Sequence, residues 1–259
     1  MIDELKIAFI QTHLEWENRE ANRNHFQKKI ESIQEKVDLI ILPEMFSTGF
    51  TMNAAPLAES MNGVTVAWMK QMAQVKNAAI TGSIIIEENH NFYNRLLFVT
   101  PEGEIQSYDK RHLFTLANEQ ETYTAGNKKL IVEYKGWKIC PMICYDLRFP
   151  VWARNVEDYD FLLFLANWPE ARIKAWDVLL QARAIENMAY CVGVNRIGTD
   201  GKGFDYVGHS AVYNGLGECL LVEDLEKDAI YSVTLRKTHL LEIKNKLRFL
   251  EDKDSFTLV

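Results

Sequence analysis

Short, nearly unbroken apolar runs that stop at a polar or prolyl residue constrain this chain more than any other feature. Leu39-Ile40-Ile41-Leu42 stops at Pro43-Glu44, Trp137 to Ile143 stops at Cys144-Tyr145-Asp146, and Phe161 to Ala166 stops at Asn167-Trp168-Pro169. Runs of this length and β-branched or aromatic character are strands covered on both faces. Leu5 to Ile10, Ala79 to Ile86 and Tyr190 to Asn195 read the same way. Between them lie segments with apolar residues at helical spacing: Glu20 to Val37 (Phe26, Ile30, Ile33, Val37), Val64 to Lys76, and Ile173 to Asn187 (Trp176, Leu179, Leu180, Ala184).

Hairpins interrupt the alternation. Phe92 to Thr100 turns at Pro101-Glu102-Gly103-Glu104 into Ile105 to Asp109, and Leu130 to Tyr134 turns at Lys135-Gly136 into the Trp137 strand. Val207 to Tyr213, Glu218 to Glu223 and Ala229 to Leu235 read as a meander, followed by a short helix over His239 to Leu247. A purely parallel doubly wound sheet fits this poorly. Two mixed sheets packed together with helices outside, an α/β arrangement in one domain over residues 1–259, fit better.

Composition narrows the function. The net charge of −7 over 259 residues argues against a nucleic-acid partner or an anionic membrane surface. Cys140, Cys144, Cys191 and Cys219 have no framework spacing and fit reduced thiols. The charged N-terminus does not resemble a signal peptide, and no apolar run approaches a membrane span, so a cytoplasmic protein is expected. The six histidines show no ligand pairing, so no metal site is expected.

Three reactive residues share one kind of position, the end of an apolar strand: Glu44, Lys110 and Cys144. Ligand crevices form outside strand ends, so residues distant in sequence can converge there. Singly, Glu44 would be a helix-start carboxylate, Lys110 a solvated charge and Cys144 a buried thiol. Together they make chemical sense. A thiol nucleophile needs a base, which Glu44, desolvated beside Met45 and Phe46, can supply. An ammonium at Lys110 favours both thiolate and oxyanion.

Leu42-Pro43-Glu44, Asp109 to Phe114 and Cys144 to Pro150 resemble, in this order, the three catalytic blocks of the nitrilase (carbon–nitrogen hydrolase) superfamily. The similarity includes Phe92-Tyr93-Asn94, Ala166 to Pro169, Ala182 to Asn187 and Asn195-Arg196. The wording from Cys144 to Pro150 is most similar to the omega-amidase branch. The resemblance implies a four-layer α-β-β-α sandwich, a homodimer through an outer helical layer, and hydrolysis of the terminal amide of a short 2-oxo acid without metal or organic cofactor. It also implies a second glutamate seven residues before a glycine. Glu119 has that spacing to Gly126, whereas Glu121 is expected in solvent. Glu119 is then expected to orient Lys110 and the substrate amide, and the Tyr145 N–H to share the oxyanion with Lys110. Arg148 and Arg196 are the expected cations for a substrate carboxylate, and Phe114 and Trp168 the expected walls of a narrow slot. Three alternatives stay within the superfamily: a carbamoylase, a nitrilase and a deaminated-glutathione amidase. One lies outside it, a silent binding module.

Overall fold

The computed structural model describes residues 3–221 and 225–258. Strand β1 (Glu4–Gln11) leads through α1 (Arg19–Ser32) to β2 (Leu39–Ile41), and α2 (Val64–Lys76) leads to β3 (Ala79–Glu88). A pair of hairpin turns adds β4 (Asn91–Val99) and β5 (Ile105–Asp109). The chain then crosses to a second sheet with β6 (Val132–Tyr134) and β7 (Trp137–Ile143). There α3 (Pro150–Ala153), β8 (Phe161–Leu165), α4 (Ile173–Asn187) and β9 (Tyr190–Val194) follow. The remaining elements are β10 (Ile197–Thr199), β11 (Asp205–Val207), β12 (Ala211–Tyr213), β13 (Ala229–Arg236) and α5 (Lys237–Leu247).

The first sheet has six strands in the order β13-β1-β2-β3-β4-β5, and the second has five in the order β12-β9-β8-β7-β6. Each is mixed: β1, β2 and β3 run parallel, as do β7, β8 and β9, and antiparallel strands flank both sets. The pleat sorts side chains by parity. Ile7, Phe9, Leu39 and Ile41 face the second sheet and share one core with Ile139, Ile143, Phe161 and Leu163. Their neighbours Ala8, Ile10, Ile40 and Leu42 face outward against Phe26 and Ile30 of α1 and Met69 and Met72 of α2. On the far side, Trp176, Leu180 and Ala184 of α4 cover the second sheet. The result is helices, sheet, sheet, helices, in agreement with the α-β-β-α expectation. Gly193 sets the last spacing, because a Cβ there would stand 2.4 Å from Leu180 and 2.7 Å from Trp176.

The last strand of the expected meander pairs elsewhere. Ala229–Arg236 pairs antiparallel with β1 at the edge of the first sheet, and Tyr231 and Leu235 reach the core between the sheets. The stretch over 207–213 is broken at Gly208 and His209, both with positive φ. Its first part closes a separate β10–β11 hairpin, and its second part pairs with β9. The expected strand over Glu218 to Glu223 lies partly outside the described residues, and Cys219 makes one bridge to Tyr213. Helix α1 ends at Ser32, short of Val37, where the backbone at Ile33 turns extended. No helix among the described residues is long and apolar enough to cross a membrane.

Candidate active site

Strand β7 ends at Ile143, and Cys144 opens a 3-10 turn (Cys144–Arg148) with φ +43°. A cysteine in the left-handed region is strained and must be held there by its surroundings. Asp146 does the holding. Its buried carboxylate accepts from the Ile143 amide (3.0 Å), the Tyr108 hydroxyl (2.7 Å) and the His112 amide (3.0 Å), and lies 2.7 Å from His112 Nδ1. The His112 ring stacks on Phe149 at 3.7 Å. Arg183 of α4 donates twice to the Leu147 carbonyl, at 3.1 and 2.6 Å, besides pairing with Glu186. His112 and Arg183 therefore brace this turn.

Glu44 follows β2 and is completely buried. One carboxylate oxygen accepts from Asn94 Nδ2 (2.8 Å) and Lys110 Nζ (3.0 Å), and the other from the Asn167 amide (2.8 Å). Asn167 Nδ2 also donates to the Glu44 carbonyl at 2.5 Å. Lys110, at the end of β5, donates to both oxygens of Glu119 at 3.0 and 2.9 Å. Glu119 in turn accepts from the Phe114 amide at 2.6 Å, whereas Glu121 is exposed. The seven-residue spacing to Gly126 has a physical basis. The Gly126 amide donates to the Lys110 carbonyl at 2.9 Å, and a Cβ there would lie 2.1 Å from the Asp109 carbonyl oxygen. Only glycine lets the Glu119 loop close on Lys110.

Burial lowers the Lys110 ammonium, but Glu119 and Glu44 outweigh it, so its pKa is raised overall and the lysine stays charged. Burial also raises Glu119, against the pull of Lys110. Cys144 lies 3.9 Å from the Asn167 carbonyl through its sulfur. Burial pushes its thiol well above the ordinary value, Glu44 adds to the rise, and Lys110 only partly opposes it. The surroundings of Cys144 therefore favour the neutral thiol over the thiolate.

These groups open into a cavity of about 320 Å³. Phe114, Tyr145, Trp168 and Arg148 line it. Arg196 does not. It is fully buried, donates to the Ile197 and Thr199 carbonyls at 3.1 and 3.3 Å, and lies under the Tyr206 ring at 4.6 Å. Strand β9 ends with this side chain turned into the base of the β10–β11 hairpin, so its work is to shape that hairpin. The sequence reading missed Phe50, Asn167, Arg172 and Lys202 on the cavity wall, and Asn94 behind Glu44. Asn94 and Asn167 sit within quoted motifs; Arg172 had the signal of a cation closing the loop after β8. His13, His25 and Asp228 bring potential metal-ligating atoms within 4.8 Å of one another, a grouping that sequence spacing concealed. Thr12 bonds both His25 and Asp228, Lys29 pairs with Asp228, and none of these residues lines the cavity.

The carbon-nitrogen hydrolase family model matches residues 6–251. The chain belongs to this family. It is 45% identical to omega-amidase YafV of Escherichia coli over 98% of both chains. It is 30% identical to the 2-oxoglutaramate amidase of Bacillus subtilis, over 86% of this chain and 87% of that one. The crystal structure of XC1258 from Xanthomonas campestris, a family protein with an arsenic adduct in its active site, superposes with a TM-score of 0.97 over 100% of both chains at 44% identity. Nit3 of Saccharomyces cerevisiae shares the fold, with a TM-score of 0.84 at 21% identity over 95% of this chain and 94% of that one.

Because the raised group is the thiol, its anionic fraction grows only as pH climbs through the alkaline range. Alkylation of Cys144 by iodoacetamide, followed on its peptide by mass spectrometry, should keep accelerating past the ordinary thiol value of 9.0. A plateau reached at neutral pH would show a stable resting thiolate instead.

Proposed function

We propose that this protein is a thiol amidohydrolase that releases ammonia from the terminal amide of 2-oxoglutaramate or 2-oxosuccinamate. The observation that carries the reading is the convergence of Glu44, Lys110 and Cys144 at one cavity that also presents arginines, with Glu119 holding Lys110. The names of the relatives, omega-amidase and 2-oxoglutaramate amidase, support the choice of substrate.

The geometry supports a two-step path. Glu44 takes the Cys144 proton as the sulfur attacks the amide carbon. Lys110 and the Tyr145 N–H, at the open start of the 3-10 turn, stabilise the oxyanion. Glu119 keeps Lys110 charged and aimed. Glu44 then hands its proton to the leaving nitrogen, ammonia departs, and a thioester remains on Cys144. Glu44 next deprotonates a water that attacks the thioester carbon, and the acid leaves as the proton returns to sulfur. Every group in this path is a side chain or backbone amide of the chain, and no cofactor is invoked. Arg148 is the proposed partner of the substrate carboxylate, between the walls of Phe114 and Trp168. Residues 1–259 act as one domain, and the unbridged cysteines fit a cytoplasmic setting.

We also propose a homodimer through α4. Val178 and Ile185 stand on its outer face 56% and 49% exposed, and Leu216, 46% exposed, lies beside Ile185 through Gly217. Light scattering at micromolar concentration should give twice the chain mass; a monomer would refute the interface.

Cys144→Ala should abolish ammonia release while costing on the order of 1 kcal/mol in stability, since only a small thiol is lost. Lys110→Ala should lower kcat by about 10²–10³, the scale of one oxyanion donor. Ammonia assays with a parallel urea melt check both, and turnover by the Cys144 variant would sink the proposal.

A further inference from the structure

Three cations face the cavity without a carboxylate of their own. Arg148, Arg172 and Lys202 all line it, and among the described residues none of them forms an ion pair. Several arginines elsewhere hold a carboxylate: Arg95 holds Asp109, Arg183 holds Glu186 and Arg248 holds Glu251. In a chain of net charge −7, unpaired cations gathered at one opening need a reason. The acid among them, Asp200, is spent on its own hairpin. It accepts from the Lys202 and Phe204 amides at 2.8 and 3.0 Å and from the Tyr206 hydroxyl at 2.9 Å.

Two of the cations are backed by rings. Arg148 lies over Trp168 at 4.9 Å and Arg172 over Phe114 at 5.0 Å. A guanidinium stacked on a ring has its face satisfied and its N–H edge free, the geometry that grips a carboxylate with two parallel bonds. The inner end of the cavity has the opposite character, with Glu44 and Glu119 flanking the one ammonium of Lys110. An anionic group is repelled there and attracted among the arginines, so a substrate with one amide and one carboxylate is sorted by charge and presents its amide to Cys144.

Arg172 differs from Arg148 in what it connects. Arg148 belongs to the nucleophile's own turn. Arg172 ends the 3-10 turn Glu170–Arg172 after β8, where its carbonyl accepts from Trp168 Nε1 at 2.8 Å, and its side chain crosses to Phe114. The ring that backs Arg148 is thus tied to the Arg172 backbone. The ring that backs Arg172 belongs to the residue whose amide Glu119 holds. We infer that Arg172 determines specificity for carboxylate-bearing amides, gripping the substrate carboxylate jointly with Arg148 while Lys202 adds attraction from the hairpin. The inference rests on the amidase reading above and deepens it.

The test compares ammonia release from 2-oxoglutaramate and from its methyl ester, for the wild type, Arg172→Met and Arg172→Lys. The wild type should favour the acid by about 10²-fold in kcat/KM, because the cationic donors of the cavity go unpaired with the ester. Arg172→Met should cut that preference at least 10-fold, chiefly through KM for the acid, and Arg172→Lys should restore part of it. Among the described residues Arg172 makes no side-chain hydrogen bond to lose, so thermal melts of the variants should stay close to the wild type. A wild type that treats acid and ester alike overturns the carboxylate reading itself. A wild type that discriminates, with Arg172→Met discriminating equally well or losing both substrates in proportion, overturns the role of Arg172 alone.

Discussion

The Lys110 ammonium, 1% exposed and held between Glu44 and Glu119, is the interaction on which the rest of the site depends. Taking an ion out of water costs several kcal/mol even after relaxation, and it is tolerated only where geometry and further hydrogen bonds compensate. Here they do. Glu44 receives three donors from three different segments, and Glu119 receives both Lys110 and the Phe114 amide. The cluster therefore fixes the ends of β2, β4, β5 and β8 relative to one another. Losing one member would strand a buried charge, a penalty of about 3–5 kcal/mol, which gives the loops little freedom to move apart. Burial, with Glu44 adding to it, favours the neutral Cys144 thiol, and Lys110 only partly opposes them.

A second buried carboxylate ties Cys144 to this frame. Asp146 bonds the end of β7 in one sheet and Tyr108 and His112 from the end of β5 in the other. Asp146 thus adds polar bonds at one rim to the apolar packing between the two sheets. The strain at Cys144 is offset by that network, and the sulfur is presented at the edge of the cavity rather than along the strand.

Much of this was legible in the sequence because the strands are short and stop abruptly. The apolar runs located β2, β7 and β8, and the stop signals of the first two located Glu44 and Cys144. What was hidden is what depends on partners far along the chain. Ala229–Arg236 alternates as any edge strand would, and nothing local says that it pairs with β1 rather than with its neighbour in sequence. Arg196 and Arg172 both follow strand ends, and periodicity cannot tell which one turns inward. The difference lies in the β10–β11 hairpin, whose Tyr206 covers Arg196, and in the 3-10 turn that carries Arg172 over Phe114. Asn94 was quoted within a motif, yet its role as a donor to Glu44 appears only when the first sheet is assembled.

The central claim is that acyl transfer passes through the sulfur of Cys144. Rapid-quench mass spectrometry of the wild-type protein turning over 2-oxoglutaramate tests it most directly. The account predicts a transient adduct, with the mass of the substrate less ammonia, on the Cys144 peptide, formed with the first equivalent of ammonia and lost on hydrolysis. Ammonia released with no such adduct, or with the acyl group on a different residue, would contradict it.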